Sequence, residues 1–149
     1  MILISHRGNT NGKNPNLENN PDYILDAIKK GYECEVDVFD YDGGSFYLGH
    51  DGPTYKVDPE FMLNGKVWFH AKTIKVLHYL LRINAHCFFH ENDKCTLTSR
   101  GYVWTFVGES LGPYKNSNNS ICVLPEAHNT PKDAINSAGI CSDFIEMYK

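Results

Sequence analysis

The sequence has no long apolar run, no block of basic residues and no closely spaced pair of cysteines. Because no stretch approaches the roughly 20 apolar residues of a membrane span, we expect no transmembrane segment. The start, MILISHRG, lacks both the basic region and the longer apolar run of a signal peptide. The net charge of −4, without a basic cluster, argues against nucleic acid as the main partner.

The five cysteines are an odd number, and no two of them form a CxxC pair. Four fall in apolar, strand-like runs, which is typical of reduced thiols in a core rather than of disulfides or a zinc site. The pattern therefore predicts a reducing, cytoplasmic location. The residues are Cys34, Cys87, Cys95, Cys122 and Cys141.

The composition is that of one globular domain, residues 1–149, with 42% apolar and 21% charged residues. Strand-like runs alternate with segments that carry helix signals, which predicts an α/β fold with a parallel sheet. Residues 20–31 are a predicted helix because Asn20 can cap it and Pro21 suits its first position, and residues 73–84 because their apolar residues have helical spacing. A third helix is predicted over 130–139, and a polar loop over 108–120.

Titratable residues collect toward the ends of several predicted strands. In YECEVDVF, strict alternation places Glu35 and Asp37 on one face and Val36 on the other. In KVWFHAK, His70 and Lys72 share one face in the same way. A surface strand can show this pattern, but so can a strand with helices on its apolar face and a barrel interior on the other. Chemistry at the carboxyl ends of strands is typical of (β/α) barrels.

Four motifs, in order, resemble the glycerophosphodiester phosphodiesterase family, which belongs to the phosphatidylinositol-phospholipase-C-like barrels. They are HRG ending the first strand, LENN before the first helix, ECEVDV on the second strand and YDGGSFYLGHD after it. The close match covers residues 4–51, about a third of the chain. The resemblance implies a compact TIM-type (β/α) barrel. Since a full barrel has about 250 residues, we expect an incomplete one with some helices missing.

The resemblance also implies a metal-dependent phosphodiesterase that acts on a small phosphodiester. Glu35 and Asp37 would bind the divalent ion (Mg²⁺, Mn²⁺ or Ca²⁺), and His6 and His50 would be the acid–base pair. The residue types suit these roles, because carboxylate oxygens bind hard cations and imidazole titrates near neutral pH. Arg7 offers a permanently charged, planar fork for phosphate oxygens.

Beyond residue 51 the chain departs from that family. His70, in HAK, stands where the family has the glutamate of an ExK strand end, so His70 is predicted as a third metal ligand. An imidazole ligand would favour Mn²⁺ or Co²⁺ over Ca²⁺. The alternative is that His70 only hydrogen-bonds a carboxylate or the phosphate. AGICSDFI, residues 138–145, is similar to the family's closing strand, which ends in a Ser-Asp or Thr-Asp pair.

Four further residues are candidates for the substrate pocket or its support. Lys72 either binds phosphate or neutralises the carboxylates, and Trp104 either contacts an alcohol group of the substrate or belongs to the core. His90 is predicted to line the pocket. Glu18 is either a polar residue at the entry of the first helix or, as the resemblance implies, an orienting partner for Arg7 or the metal. Two other functions stay open: a non-catalytic barrel relative that binds a phosphorylated ligand or a partner protein, and a phosphodiester lyase or transferase using the same site.

Overall fold

The computed structural model describes residues 1–105 and 118–149. Along these residues run ten strands and two α-helices, with short 3-10 turns between some of them. The elements are β1 (Ile2–His6), α1 (Pro21–Lys29), β2 (Glu33–Tyr41), β3 (Ser45–Leu48), β4 (Tyr55–Val57), β5 (Val67–Ala71), α2 (Ile74–Arg82), β6 (Cys87–Phe88), β7 (Cys95–Leu97), β8 (Val103–Thr105), β9 (Ser120–Val123) and β10 (Gly139–Ser142).

Both α-helices lie within the first two predicted segments, and these two predictions are confirmed. Asn20 caps α1 by accepting a hydrogen bond from the Asp22 N–H at 2.9 Å, and Pro21 occupies the first turn, where it costs no hydrogen bond. Thr73 Oγ1 caps α2 by accepting from the Val76 N–H at 3.2 Å. Helices of nine residues are marginal in isolation, so packing of one apolar face on the sheet stabilises both.

Seven strands of the sheet are parallel and hydrogen-bonded in the order β6, β5, β2, β1, β10, β9, β8. The other three are antiparallel additions: β3 and β4 extend from the second half of β2, and β7 pairs with β8. The register aligns His6 with Glu35, and Asp37 with His70. Residues that are far apart in sequence therefore reach the same edge of the sheet.

The predicted TIM-type barrel is wrong. The sheet is mixed and curls into a half-barrel, and the described residues contain only two short α-helices. The connection from β2 to β5 contains the hairpin of β3 and β4, and the connection from β6 to β8 contains β7, where a (β/α) barrel would have helices. The chain turns back into β3 directly after β2, because Asp42 and Gly43 both have the positive φ of a tight hairpin.

The third predicted helix, over residues 130–139, is also wrong. Within this segment the structure has only a 3-10 turn, Lys132–Ala134. The segment has few apolar residues, so no stripe at helical spacing is available to stabilise an α-helix against the sheet. The predicted polar loop at 108–120 lies mostly outside the described residues.

The sheet separates two main apolar layers. On the side covered by α1 and α2, Val36 and Val38 of β2 pack with Ile24 of α1. On the inner side, Trp68 and Trp104 pack in a second cluster. The alternation predicted along β2 is thus confirmed, because its apolar side chains face the helices.

The cysteines agree with the prediction of thiols in a core. All five cysteines are free thiols, and four of them are buried. Within residues 1–105 and 118–149, no helix combines the length and the apolarity that crossing a membrane requires.

Candidate active site

A cavity of about 550 Å³ opens at the carboxyl ends of the parallel strands. Side chains at the carboxyl ends of neighbouring parallel strands point toward a common space, so residues from several strands line the cavity. The lining residues are His6, Arg7, Lys13, Glu35, His50, His70, Lys72, Phe89, His90, Glu91, Trp104, Thr105, Val123 and Leu124.

His6, the last residue of β1, is buried between two carboxylates. Its Nδ1–H donates to Asp143 Oδ1 at 2.7 Å, since an ionised carboxylate can only accept, and its Nε2 lies 3.8 Å from Glu35 Oε2. Burial lowers the pKa of His6, but the Asp143 hydrogen bond and the Glu35 charge outweigh burial and raise that pKa above 6.5. The Asp143 contact fixes the ring and leaves Nε2 on the side of Glu35.

Asp143 is a residue of this site that the sequence analysis misses. Its carboxylate is fully buried; Oδ1 accepts from His6 and from Asn9 Nδ2 (2.8 Å), and Oδ2 lies 3.8 Å from Lys13 Nζ. Burial raises the pKa of Asp143, but the hydrogen bond from His6 outweighs burial and lowers that pKa below 3.8. A signal exists in the sequence, because Ser142 and Asp143 are the Ser-Asp pair that ends the segment similar to the family's closing strand. In the structure Ser142 is aligned with Ser5, so Asp143 follows β10 at the level where His6 ends β1.

Asp37 is fully buried and surrounded by donors and cations. His70 Nδ1 donates to Oδ1 at 2.9 Å, and Lys72 Nζ lies 3.6 Å from the same oxygen. Asn19 Nδ2 donates to Oδ2 at 3.2 Å. Arg7 Nε lies 2.9 Å from Oδ2 as an ion pair, but its N–H direction does not suit a hydrogen bond. Burial raises the pKa of Asp37, but these partners outweigh burial and hold that pKa well below its ordinary value.

Glu35 is also buried but has weaker partners. Its Oε2 accepts no hydrogen bond from the part of the chain that the structure describes. His6 Nε2 lies 3.8 Å from this oxygen, and His70 Nδ1 lies 4.0 Å from Oε1, both too far for hydrogen bonds. Burial and the charge of Asp37 raise the pKa of Glu35. A buried carboxylate oxygen in this condition is stabilised by a proton or by a bound cation.

The three residues predicted as metal ligands lie close enough to share one cation. One ligand atom from each of Glu35, Asp37 and His70 lies within 4.8 Å of the other two. His70 Nδ1 is 2.9 Å from Asp37 Oδ1 and 4.0 Å from Glu35 Oε1. Around an octahedral ion with bonds of about 2.1 Å, adjacent ligands lie about 3 Å apart and opposite ligands about 4 Å apart. With the unsatisfied Glu35 Oε2, these distances fit a divalent cation if the proton that His70 Nδ1 donates to Asp37 moves to Nε2, which lies 3.4 Å from the His90 carbonyl oxygen.

The ring of His70 belongs to a set of nearly parallel aromatic rings. Its centroid lies 5.0 Å from that of Phe88 and 4.5 Å from that of His90, with interplanar angles of 9° and 4°. Trp104 extends the set by stacking on Phe88 at 4.6 Å. Burial, followed by the charge of His70, lowers the pKa of His90 to about 4. Trp104 is buried and also lines the cavity, so it belongs to the core and to the pocket wall.

Arg7 lies in a left-handed turn directly after β1, with φ of 54°. Its Nη1 donates to Glu18 Oε2 at 3.3 Å, so Glu18 holds one side of the guanidinium while Asp37 holds the other. Gly8 follows with φ of 93°, and a Cβ there would lie 2.5 Å from the ring of Tyr23. The glycine of HRG is therefore required for this turn to pack against α1.

His50 lies at the same cavity but is more exposed than His6. Its Nδ1–H donates to Asp51 Oδ1 at 2.7 Å, and 47% of its side chain is accessible to solvent. The preceding Gly49 donates its N–H to the Asp37 carbonyl at 3.1 Å, which holds the loop beside the site. A Cβ at position 49 would meet the Gly52 carbonyl oxygen at 2.1 Å.

The structure thus places every residue predicted as catalytic, metal-binding or substrate-binding at or directly beneath one cavity, and it places Glu18 beside Arg7. Asp37 lies beneath the surface, and the others line it: His6, Arg7, Glu35, His50, His70, Lys72, His90 and Trp104. Comparisons with protein-family models, curated proteins and solved structures find no match to this chain.

Proposed function

We propose that this protein is a metal-assisted phosphodiesterase that cleaves a small phosphodiester, as its likeness to the glycerophosphodiester phosphodiesterase motifs implies. One observation carries the proposal: two buried carboxylates, two histidines and two cationic side chains lie at or directly beneath one cavity. Binding a phosphate requires the cations alone. Proton-transfer groups beside them supply what bond cleavage needs in addition.

Arg7 and Lys72 would bind the non-bridging oxygens of the phosphate. The guanidinium of Arg7 is held by Glu18 and Asp37, so little conformational entropy remains to be lost when an anion binds. Lys72 Nζ is a mobile point charge on the other side of Asp37, 3.6 Å from Oδ1. Together they would neutralise charge that develops on the phosphoryl oxygens.

His6 and His50 would divide the acid and base roles. One removes the proton of the attacking hydroxyl, and the other protonates the leaving alkoxide oxygen. Asp143 fixes the tautomer of His6 so that Nε2 carries out the transfer, and Asp51 does the same for the more exposed His50.

Glu35, Asp37 and His70 would hold the divalent ion. Such an ion, when bound, neutralises phosphate charge as a Lewis acid. The unsatisfied oxygen of Glu35 supports this assignment, because a cation would compensate it.

A second candidate function is binding of a phosphorylated ligand without turnover. It is favoured by the surroundings of Asp37, whose charge Arg7 and Lys72 already compensate and to which His70 donates a hydrogen bond. A site of this kind would bind phosphate in the presence of EDTA and would leave phosphodiesters intact.

The test is an activity panel of glycerophosphodiesters and bis(p-nitrophenyl) phosphate, with EDTA and with added Mg²⁺, Mn²⁺, Co²⁺ or Ca²⁺. Phosphorus NMR of the products separates hydrolysis from lyase or transferase chemistry, since a cyclic phosphate or a new diester has its own resonance. Turnover that requires metal and is lost in His6→Ala supports the proposal. No turnover of any diester, together with EDTA-resistant phosphate binding, supports the second candidate.

A further inference from the structure

Asn9, which directly follows the HRG motif, is fully buried between the two halves of the candidate site. Its Nδ2 donates one hydrogen bond to Glu18 Oε1 at 2.9 Å and the other to Asp143 Oδ1 at 2.8 Å. Glu18 is the partner of Arg7, and Asp143 is the partner of His6. One amide nitrogen therefore connects the anion-binding arm, Arg7 with Glu18, to the proton-transfer arm, His6 with Asp143.

The acceptor side of Asn9 is also occupied. Its Oδ1 accepts from the Asn14 N–H at 3.1 Å and from the Tyr23 hydroxyl at 3.4 Å, the second being a long contact. Two donors and two acceptor positions are the whole capacity of a primary amide. The side chain is held on every side, so its orientation is assigned by its partners: a carboxylate needs the amide nitrogen, and an N–H needs the amide oxygen.

No other common side chain of this size supplies two donors without a charge. Aspartate would place a third carboxylate against Glu18 and Asp143, and serine offers one donor for two acceptors. A neutral double donor suits this position, because Asn9 contacts one buried carboxylate, Asp143, and one partly buried carboxylate, Glu18.

We infer that Asn9 is a positioning residue that couples His6 to Arg7 by holding Asp143 and Glu18 in one fixed register. This inference rests on the proposed function, since it assigns His6 and Arg7 their roles. The expected consequence is that a change at Glu18 reaches His6 only when Asn9 is present. A purely structural Asn9 would affect stability without transmitting anything between the arms.

A double-mutant cycle tests the coupling, with Glu18→Gln introduced into the wild type and into Asn9→Ala. The main readout is the proton NMR signal of the His6 Nδ1–H, assigned by its loss in His6→Gln. We expect Glu18→Gln to shift this signal in the wild-type background and to leave it unchanged in the Asn9→Ala background. Equal shifts in both backgrounds would overturn the inference, and so would the absence of a shift in both.

Steady-state kinetics gives a second readout. Misplacement of reacting groups lowers turnover, so Asn9→Ala should reduce kcat about ten- to a hundred-fold with a much smaller change in KM. If Asn9→Ala does not fold, Asn9→Ser, which keeps one donor, takes its place in the cycle. Asn20→Ala is the matched control, because Asn20 caps α1 on the same loop and should leave the His6 signal and kcat unchanged.

The two readouts separate the inference from the proposed function. If no phosphodiester is cleaved, the proposed function fails, while the NMR cycle still measures whether Asn9 couples the two arms. If the protein is active and Asn9→Ala keeps wild-type kcat with an unshifted His6 signal, the positioning role is refuted and the proposed function stands.

Discussion

Replacing Asp143 with asparagine should lower the free energy of unfolding by an amount that depends on pH. The substitution keeps the size of the side chain and an oxygen for His6 Nδ1, 2.7 Å away, but it removes the negative charge. Both partners are buried, so water screens their interaction poorly. The loss should therefore exceed what an exposed pair with the same separation would show.

The direction of this pH dependence follows from the pKa shifts of His6 and Asp143. The pKa of His6 is raised, so its contribution to stability is fully present below 6.5 and is lost as the pH rises through the folded-state value. The pKa of Asp143 is lowered, so its contribution is present above 3.8 and is lost as the pH falls through the folded-state value. The His6–Asp143 pair therefore stabilises the fold most between pH 3.8 and pH 6.5, the ordinary pKa values of the two groups.

The magnitude is that of a buried hydrogen bond between charged groups, about 1.5 to 3 kcal/mol of unfolding free energy near pH 5.5. Once the pH exceeds the folded-state pKa of His6, the imidazole is neutral in both states, and the difference between Asp143 and asparagine should shrink to that of a neutral bond, about 1 kcal/mol or less.

Urea unfolding, followed by the fluorescence of Trp68 and Trp104, measures both values. The control is Asp51→Asn, which alters a second carboxylate–histidine pair with the same 2.7 Å separation but on the surface. That variant should show no measurable loss of stability, because exposed pairs contribute little. An Asp143→Asn penalty that is equal at the two pH values, or one that Asp51→Asn matches, would refute the reasoning.

Three further predictions concern individual histidines. His6→Ala and His50→Ala should each lower phosphodiester turnover by a factor on the order of 10² to 10⁴, because each removes an acid–base group. The control is His78→Ala, which changes an exposed histidine and should leave turnover as it is. A fully active His6→Ala/His50→Ala double variant would contradict the two-histidine mechanism. His70→Glu should shift metal preference from Mn²⁺ or Co²⁺ toward Mg²⁺ or Ca²⁺, measured by metal-titrated activity and by calorimetry; identical preferences would show that His70 is not a ligand. Burial and Arg100 lower the pKa of His86 to about 4, so the unfolded chain binds more protons between pH 6.5 and that value. Stability should fall on acidification through this range, and His86→Gln should flatten the slope of urea midpoint against pH; an unchanged slope would rule His86 out as the cause.

The local features that the sequence predicts well are those that nearby residues decide. The capping oxygens of Asn20 and Thr73 mark where the two helices begin, because each accepts a hydrogen bond from an N–H two or three residues later. Alternation along β2 separates Val36 from Glu35 because successive side chains of any strand point to opposite faces. Leu81 shows the limit of the same reasoning, since it has the right spacing for the apolar face of α2 but is 49% exposed.

The overall fold depends on information that local patterns lack. Parallel strands and predicted helices resemble a (β/α) barrel until the connections are traced, and the connection after β2 turns back at residues 42–44 as a hairpin. The Asp-Gly-Gly sequence of that turn is a hairpin signal. Asp143 was missed because its partner, His6, lies 137 residues away in sequence.

The pairing of β1 with β10 also has a consequence for how the protein folds. The four recognisable motifs all lie within residues 4–51, yet the groups that orient them come from later strands: His70 from β5 and Asp143 after β10. Joining strands so far apart in sequence requires closing a long loop, which is slow and occurs late. The candidate site should therefore form in one step with the complete sheet, so that its NMR signals and any phosphate binding report on completed folding. A fragment that carries all four motifs but ends before β5 would contain the signature of the site without its geometry.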